Sequence, residues 1–293
     1  VIVGGGATGI EVAGILSEMK KFVLPNDYPD MPSSLMHIYL IEAGPRLLAG
    51  MSEESSAHAE QFLREMGVNI LLNKRVVDYR DHKVVLEDGT EIATRTFIWV
   101  SGVTGVTIGN LDASLIGRGG RIKVDSFNRV EGMNNVFAIG DQCIQVADED
   151  YPNGHPQLAQ VAIQQGELLA KNLVRMEKGR EMKPFHYRNL GSMATVGRNR
   201  AVAEFSKVKM QGWFAWVMWL VVHLRSILGV RNKVIVLLNW VWNYFTYDQS
   251  MRMIVYARKA KEIRDREKVE ETTHWGKELV QEEKNPSITS SSK

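Results

Sequence analysis

Hydrophobic positions in the first third of the chain alternate between short apolar runs and segments with helical spacing. Apolar runs predict strands at 1–3, 37–42, 68–72 and 96–100, the last of them buried. Helical spacing predicts helices at 10–23 and 52–66, the second with Ser52 as its N-cap. Short apolar stretches at 76–79, 83–86 and 91–93 predict an antiparallel meander. Strands and helices in this order predict an α/β fold.

The later part of the chain changes character twice. An apolar run at 135–141 predicts a strand that ends in Gly140-Asp141. A helix is predicted over 156–176, and its apolar face would be formed by Leu158, Val161, Ala162, Leu168, Leu169 and Leu173. Residues 207–257 are rich in Trp, Val and Leu, whereas 258–293 are charged and then rich in Ser, which predicts a disordered end.

A glycine-rich turn joins the first strand to the first helix. Its pattern is Gly-x-Gly-x-x-Gly, at Gly4, Gly6 and Gly9. Gly4 permits the tight turn, Gly6 lets a pyrophosphate approach the backbone, and Gly9 lets the helix pack closely on the strand. The helix N-terminus, with Ala7 and Thr8 in its first turn, offers free N–H groups to an anion. The turn therefore predicts a dinucleotide site.

Glu42 closes the next strand. An acid at this place accepts hydrogen bonds from a ribose 2′-OH and repels a 2′-phosphate, which favours NAD(H) over NADP(H). The separation from Gly9 exceeds the usual ~20 residues because a Pro-rich insertion lies between them. The alternative is an α/β turn that binds nothing, followed by a surface glutamate.

Two later motifs carry weaker signals. An Asp after a strand, as in Gly140-Asp141, can bind the ribityl chain of a flavin, although alone such a pair more often forms a simple turn. Gln160 and Gln164 lie one helical turn apart and share a face. Their amides could donate to the carbonyl of a quinone, and the alternative is a solvated polar face.

The Trp-rich segment has the composition of an interfacial membrane anchor. Its two apolar runs are shorter than the ~20 residues that span a bilayer, and basic residues flank or interrupt them. Tryptophan prefers the membrane interface and basic residues attract anionic lipid, so we expect two amphipathic helices that lie on the surface. A buried subunit interface is the main alternative, and a transmembrane hairpin is less favoured than either.

Charge, cysteine and histidine content limit the remaining functions. A formal net charge of +2 gives no reason to expect nucleic acid, and Cys143, the single cysteine, cannot form an internal disulfide. The seven histidines lack metal-ligand spacing, so no metal is expected. Only three residues precede Gly4 and the first is not Met, from which we expect a fragment that lacks its N-terminal part.

These motifs together resemble the type II NADH:quinone oxidoreductases, which are single-subunit enzymes that pump no protons. The resemblance lies in VGGGATGIE at 3–11, IEAGPRLL at 41–48, IWVSGV at 98–103, VFAIGD at 136–141, AQVAIQQ at 159–165 and the Trp-rich segment. It implies a flavoprotein fold with two dinucleotide-binding domains and a C-terminal amphipathic helical membrane anchor. The Rossmann-like NAD domain would be present with only part of the FAD domain.

The resemblance also implies roles for individual residues. NADH would lie over 4–9 with its ribose on Glu42, and its nicotinamide would lie near Glu11, Ser101, Gly102 and Val103. FAD would be held by Gly140, Asp141 and Ala159. Quinone would approach Gln160 and Gln164, which with Glu11 form the expected catalytic set.

The implied domain organisation has four parts. They are an NAD(H)-binding domain at 1–105, the C-terminal half of an FAD domain at 106–206, a membrane-anchoring segment at 207–257 and a charged tail at 258–293. Such a protein would be monotopic, on the cytoplasmic face of the inner membrane if bacterial, and a homodimer is left open. The competing function is a soluble NADH-dependent flavin disulfide or peroxide reductase. A non-enzymatic alternative is a fragment that is inactive alone and only binds nucleotide or lipid.

Overall fold

A computed structural model describes residues 1–246 apart from Met31, Thr107 and Lys207. Within it, Val1–Leu238 form one compact unit and a second unit begins at Asn239. The end of the 207–257 segment and the whole 258–293 tail lie outside the described residues.

The described part of the structure contains twelve strands and six α-helices. The strands are β1 (Ile2–Val3), β2 (Ile38–Ile41), β3 (Val68–Leu71), β4 (Val76–Arg80), β5 (Lys83–Leu86), β6 (Glu91–Ala93), β7 (Ile98–Trp99), β8 (Ile122–Lys123), β9 (Cys143–Ile144), β10 (Ser192–Gly197), β11 (Arg200–Phe205) and β12 (Val208–Gln211). The helices are α1 (Ala7–Glu18), α2 (Leu24–Asp27), α3 (Glu53–Glu65), α4 (Ala159–Glu177), α5 (Gly212–Ser226) and α6 (Val230–Thr246). A π-helical turn, Met19–Val23, joins α1 to α2.

The strands predicted near 1–3, 37–42, 68–72 and 96–100 pair in a parallel four-stranded sheet in the order β3-β2-β1-β7. Its core consists of aliphatic side chains such as Ile2 and Leu40, packed with Ile10 of α1 and Leu63 of α3. Ser52 caps α3 as predicted, since its Oγ accepts from the Ser55 N–H. The antiparallel meander β4-β5-β6 is confirmed too.

Two predictions for this region need correction. Helix α1 begins at Ala7 rather than residue 10, because the glycine turn leads directly into the helix. The strand predicted over 96–100 is reduced to β7 at the sheet edge, and the Trp99 side chain is 55% exposed rather than buried. An edge strand is covered on one side only, which explains this exposure.

The strand predicted over 135–141 does not form. Phe137 makes only an isolated bridge with Arg129. The Val130 N–H donates to Val136 O at 2.9 Å, so the segment is paired along one side, and Val136 is 47% exposed. The apolar segment 135–141 is therefore hydrogen-bonded to residues 128–130 and is not a strand of a sheet.

The helix predicted over 156–176 forms as α4, but its apolar face is only partly buried. Val161 is buried and Leu168 packs against the same cluster, as the prediction requires, whereas Leu158 and Leu173 are exposed. The buried residues of α4 also include the amides of Gln165 and Asn172, and buried amides require hydrogen-bond partners.

The last part of the first unit is a small antiparallel sheet in the order β10-β11-β12. One side packs through Ala194 and Val202 into the core of the parallel sheet. Ala203 contributes to a second cluster with Ala215 of α5. Among the helices that the structure describes, none has the length and apolar character needed to cross a bilayer.

Candidate functional site

The glycine turn has the shape that an approaching anion needs. Gly4 has φ +114°, and a Cβ there would lie 2.7 Å from Val100 O. A Cβ at Gly9 would lie 1.8 Å from Gly4 O, so only glycine allows this helix to pack on this strand. By contrast, a Cβ at Gly6 would meet nothing within 4 Å. The backbone at Gly6 is therefore open to a close approach by another group.

The N-terminus of α1 adds electrostatic attraction to this space. Gly6 is the N-cap and no side chain caps the helix. Ala7 and Thr8 are exposed in the first turn, which carries no acidic residue. Backbone N–H groups and the helix dipole therefore face solvent together, as an anion site requires.

Glu42 is fixed at the rim of this turn. Its Oε2 accepts the Gly5 N–H at 2.6 Å and its Oε1 accepts the Gly44 N–H at 2.7 Å. Each carboxylate oxygen keeps a further lone pair, because an ionised carboxylate offers about four acceptor positions. The side chain can therefore accept ribose hydroxyls without losing its own anchors.

The loop after β7 borders the same turn. The nearest atoms to a Cβ at Gly4 include Ser101 Cα at 2.9 Å. Ser101, Gly102 and Val103 are all exposed, and Gly102 has φ +100°. The structure thus brings Ser101 and Glu42 to the glycine turn, where the sequence predicts a nucleotide, and Gly102 and Val103 follow Ser101 in the same exposed loop.

Glu11 points away from that group, toward the C-terminal sheet. Its Oε1 lies 3.5 Å from Thr195 N and 3.4 Å from Thr195 Oγ1 on β10. Burial raises the pKa of the Glu11 carboxyl, while the Thr195 hydrogen bonds and the charge of His223 on α5 act in the opposite direction. Glu11 therefore connects α1 with the antiparallel sheet on which α5 packs.

Gly140 and Asp141 form a second polar turn. Gly140 has φ +67°, and its N–H donates to Oε1 of the buried Gln165 at 2.6 Å. The Gln157 amide donates to the backbone oxygen of Asp141 at 3.0 Å, and Asp141 is exposed. Ala159 is exposed at the N-terminus of α4, where no side chain caps the helix. A carboxylate and free helical N–H groups suit the hydroxyls and carbonyls of a flavin.

A glutamine joins the two turns. Gln142 donates to Val106 O at 2.6 Å and accepts the Val106 N–H at 2.9 Å. The chain that leaves Val103 is therefore tied to the segment that carries Asp141. No sequence signal identified Gln142 as a connector, because its partner is backbone and lies far along the chain.

The glutamines expected at the quinone are engaged with backbone. The Gln160 side chain accepts the Leu190 N–H and donates to Gly191 O. The Gln164 side chain likewise accepts the backbone N–H of Arg188 and donates to its backbone oxygen. The sequence did not reveal two further residues of the candidate site, Gln165, which contacts Gly140, and Thr195, which contacts Glu11. The spacing of Gln165 from Val161 could have placed it on the buried face of α4.

Across the described residues, no group of three or more His, Cys, Asp and Glu could hold a metal ion.

Comparison with known proteins identifies the family of the chain. A family model described as pyridine nucleotide-disulphide oxidoreductase matches residues 1–166. A second, described as NDH2 C-terminal domain, matches residues 189–247. The chain therefore belongs to the pyridine nucleotide-disulphide oxidoreductases, among the type II NADH:quinone oxidoreductases.

Individual relatives support this assignment. A type II NADH:quinone oxidoreductase of Mycobacterium tuberculosis is 35% identical over 253 residues, which are 82% of this chain and 52% of the relative. A mitochondrial internal alternative NAD(P)H-ubiquinone oxidoreductase of Arabidopsis thaliana is 32% identical over 83% of this chain and 50% of its own length. The chain thus spans about half the length of the curated relatives that it matches.

Among solved structures, NDH2 from Plasmodium falciparum in complex with NADH shares the fold. The TM-score is 0.76 at 19% sequence identity, over 86% of this chain and 66% of the other. A ferredoxin reductase from Rhodopseudomonas palustris matches less fully, with a TM-score of 0.52 over 69% of this chain. The α/β flavoprotein fold is therefore shared well beyond close relatives.

Proposed function

We propose that this chain supplies the NADH site and part of the FAD site of an enzyme that reduces quinone with NADH. The observation that carries this proposal is the glycine turn, with open space at Gly6 and Glu42 fixed at its rim. The family assignment and the names of the relatives support it. No proton pumping is included, since the chemistry requires only hydride and electron transfer.

The residues of the glycine turn would hold and orient NADH. The N–H groups at the start of α1 would bind its pyrophosphate, and Glu42 would accept its ribose hydroxyls. A 2′-phosphate would meet the Glu42 carboxylate and be repelled, so NADPH should bind less tightly. Ser101, Gly102 and Val103, which border the turn, would lie beside the nicotinamide.

The second turn would hold FAD. Asp141 would accept a hydrogen bond from the ribityl chain, Gly140 would permit close approach, and the Ala159 N–H would face a ring carbonyl. When bound, FAD accepts a hydride from NADH and delivers two electrons to the quinone. Reduction of a quinone to a quinol also consumes two protons. Glu11, whose pKa is raised by burial, would hold a proton on the side of the C-terminal sheet.

The C-terminal helices would attach the enzyme to the membrane surface. Phe214 of α5 is 72% exposed and Leu228, which follows that helix, is 87% exposed. Arg225, Arg231 and Lys233 add positive charge that anionic lipid would attract. These exposed apolar and basic residues support attachment at the membrane surface. The monotopic anchor at 207–257, on the cytoplasmic face if bacterial, is proposed from the sequence. A homodimer remains a second proposal on the sequence alone.

A disulfide or peroxide reductase is less well supported by the chain's own residues. Such an enzyme needs an accessible thiolate, and Cys143 is buried in the cluster formed with Ile122, Val124 and Val130. Burial raises the pKa of the Cys143 thiol, which keeps it protonated.

Anaerobic titration of the flavin-loaded protein tests the proposal. NADH should bleach the flavin absorbance, and a short-chain quinone should restore it within one turnover. A disulfide and hydrogen peroxide, added in separate experiments, should restore it far more slowly. Faster recovery with either of these than with quinone would favour the competing reductase.

A further inference from the structure

Arg121 is a buried guanidinium beside the turn that carries Asp141. The residue is 8% exposed and lies directly before β8. Its Nε donates to Cys143 O at 2.6 Å, and its Nη2 donates to His155 O at 3.1 Å. Within the described part of the chain, no carboxylate forms an ion pair with this side chain. We call its two hydrogen bonds to backbone carbonyls the Arg121 clamp.

A buried guanidinium is costly unless other groups compensate its charge. Arginine keeps its proton in proteins, so Arg121 cannot avoid the cost by becoming neutral. Burial lowers the pKa of its guanidinium, and the negative charge of Asp141 acts in the opposite direction. In the described structure Asp141 is exposed and forms no ion pair with Arg121, so it compensates the charge only from a distance. The Asp141 turn therefore has a positive charge next to it.

The Arg121 clamp joins the two segments that are proposed to hold FAD. Cys143 directly follows the turn that carries Asp141, and its carbonyl is one acceptor of the clamp. His155, whose carbonyl is the other acceptor, lies shortly before Ala159, where α4 begins. One side chain therefore ties the turn to the start of the helix.

The loop that carries His155 is itself held from another side. His155 Nε2 lies 2.9 Å from Asp148 Oδ2, and both side chains are buried. The same carboxylate oxygen accepts the Tyr187 N–H at 3.1 Å. Hydrogen bonds to a carboxylate are among the stronger ones in proteins, so these contacts restrict the loop. Arg121 therefore connects the Asp141 turn to a part of the chain that is already fixed.

We propose that Arg121 is a positioning residue of the flavin site, which holds the Asp141 turn against the start of α4 and places a positive charge beside the bound flavin. Hydride transfer from NADH gives the flavin two electrons and one proton, so the flavin gains one negative charge while NADH becomes NAD⁺. A nearby positive charge stabilises that product, because charges attract strongly where water is excluded. The flavin half of this inference rests on the proposed function, whereas the clamp does not.

Hydrogen exchange of the protein as purified tests the clamp. The Gly140 N–H in the turn and the Ala162 N–H in the first turn of α4 are both hydrogen-bonded. Both should lose protection about tenfold in Arg121→Met, because this side chain fills similar space without a donor. The Glu42 N–H, which is hydrogen-bonded to β3, should keep its protection. Arg118→Met removes an exposed arginine from the same segment and is the matched control.

Two substitutions separate the position of the flavin from the charge beside it. Arg121→Lys keeps the positive charge but gathers its donors on one nitrogen, which cannot replace a guanidinium between two carbonyls. Both Arg121→Lys and Arg121→Met should therefore raise the FAD dissociation constant about tenfold. Only Arg121→Met should lower the flavin reduction potential, by ~30 mV if the preference for reduced flavin falls tenfold. Flavin fluorescence titration and equilibration with a reference dye measure the two quantities.

The outcomes separate the inference from the proposed function. Native protection at Gly140 and Ala162 in Arg121→Met overturns the clamp. Native FAD affinity in both variants overturns the positioning role, and equal reduction potentials in the two variants overturn the role of the charge. If Arg121→Met does not fold, weak FAD binding by Arg121→Lys at the native potential supports the inference, and a lowered potential contradicts it. A native protein that binds no FAD would overturn the proposed function, while the exchange result would stand.

Discussion

The carboxylate of Glu42 is hydrogen-bonded to the N–H of Gly5, at 2.6 Å, inside the glycine turn. Glu42, which follows β2, is thereby held against the glycine turn that follows β1. This contact fixes the orientation of the carboxylate before any nucleotide arrives. A preorganised acceptor loses little freedom on binding, so the discrimination between NADH and NADPH should depend strongly on this residue.

Glu42→Gln should reduce the preference for NADH over NADPH by about tenfold or more, which corresponds to ~1.4 kcal/mol. The amide keeps the shape of the side chain but removes the charge that repels a 2′-phosphate. Dissociation constants for both nucleotides, measured by calorimetry, give the ratio directly. Glu53→Gln, at an exposed position of α3, is the control. An unaltered ratio in Glu42→Gln would remove Glu42 from the ribose site.

Gly9→Ala should lower the stability of the fold, whereas Gly6→Ala should weaken only the binding of NADH. A Cβ at Gly9 would lie 1.8 Å from Gly4 O, so Gly9→Ala should destabilise the fold by at least ~1–3 kcal/mol. A Cβ at Gly6 meets nothing and φ there is −73°, so Gly6→Ala should fold normally and bind NADH more weakly. Thermal unfolding and nucleotide titration together check the pair. Native NADH affinity in Gly6→Ala would show that the pyrophosphate lies elsewhere.

Glu11→Gln should slow turnover about tenfold and weaken NADH binding much less, because the side chain faces Thr195 rather than the nucleotide turn. Stopped-flow measurement of flavin reduction and reoxidation distinguishes the two steps. Native rates in both would exclude a role for this carboxyl.

The stability of the same variant should depend on pH. Burial raises the pKa of Glu11 above its ordinary value of 4.5, so the folded chain binds its proton more tightly than the unfolded chain. Stability contributed by the protonated carboxyl is therefore present below pH 4.5 and lost as pH rises through the raised pKa. Relative to the native protein, Glu11→Gln should gain stability over that interval. Denaturant unfolding at several pH values measures the difference.

Phe214→Ser should weaken association with vesicles that contain anionic lipid. The side chain is 72% exposed, and burying an aromatic ring in the interface contributes ~2 kcal/mol. Val77→Ser changes an exposed apolar residue on β4 and should leave vesicle binding unaltered. Cosedimentation with vesicles compares the two variants. Equal binding by both would place the membrane contact outside α5.

The sequence predicts the nucleotide region well because its signals are local. The run 37–42 and the capped segment after Ser52 contain their own strand and helix information, and β2 and α3 follow it closely. The interior of α4 could not be predicted in this way. Its buried face depends on Gln165 and Asn172, whose partners lie at Gly140 and Lys183, far from them in the sequence.

The same limit applies to the candidate site. Gly4, Gly9 and Glu42 could be identified because strand, turn and helix are consecutive in the chain. The amides of Gln160 and Gln164 could equally face solvent, a ligand or backbone, and their backbone contacts depend on where the distant segment 188–191 lies. Side chains that bind distant backbone carry no periodic signal.

The most direct test of the proposed activity is the stoichiometry of the reaction on vesicles. The flavin-loaded protein bound to sealed anionic vesicles that contain quinone should oxidise one NADH for each quinol formed, without acidifying the vesicle lumen. A lumen pH indicator and absorbance at the NADH and quinone bands record all three quantities together. NADH oxidation without matching quinol, or a sustained pH gradient that depends on NADH, would contradict the account.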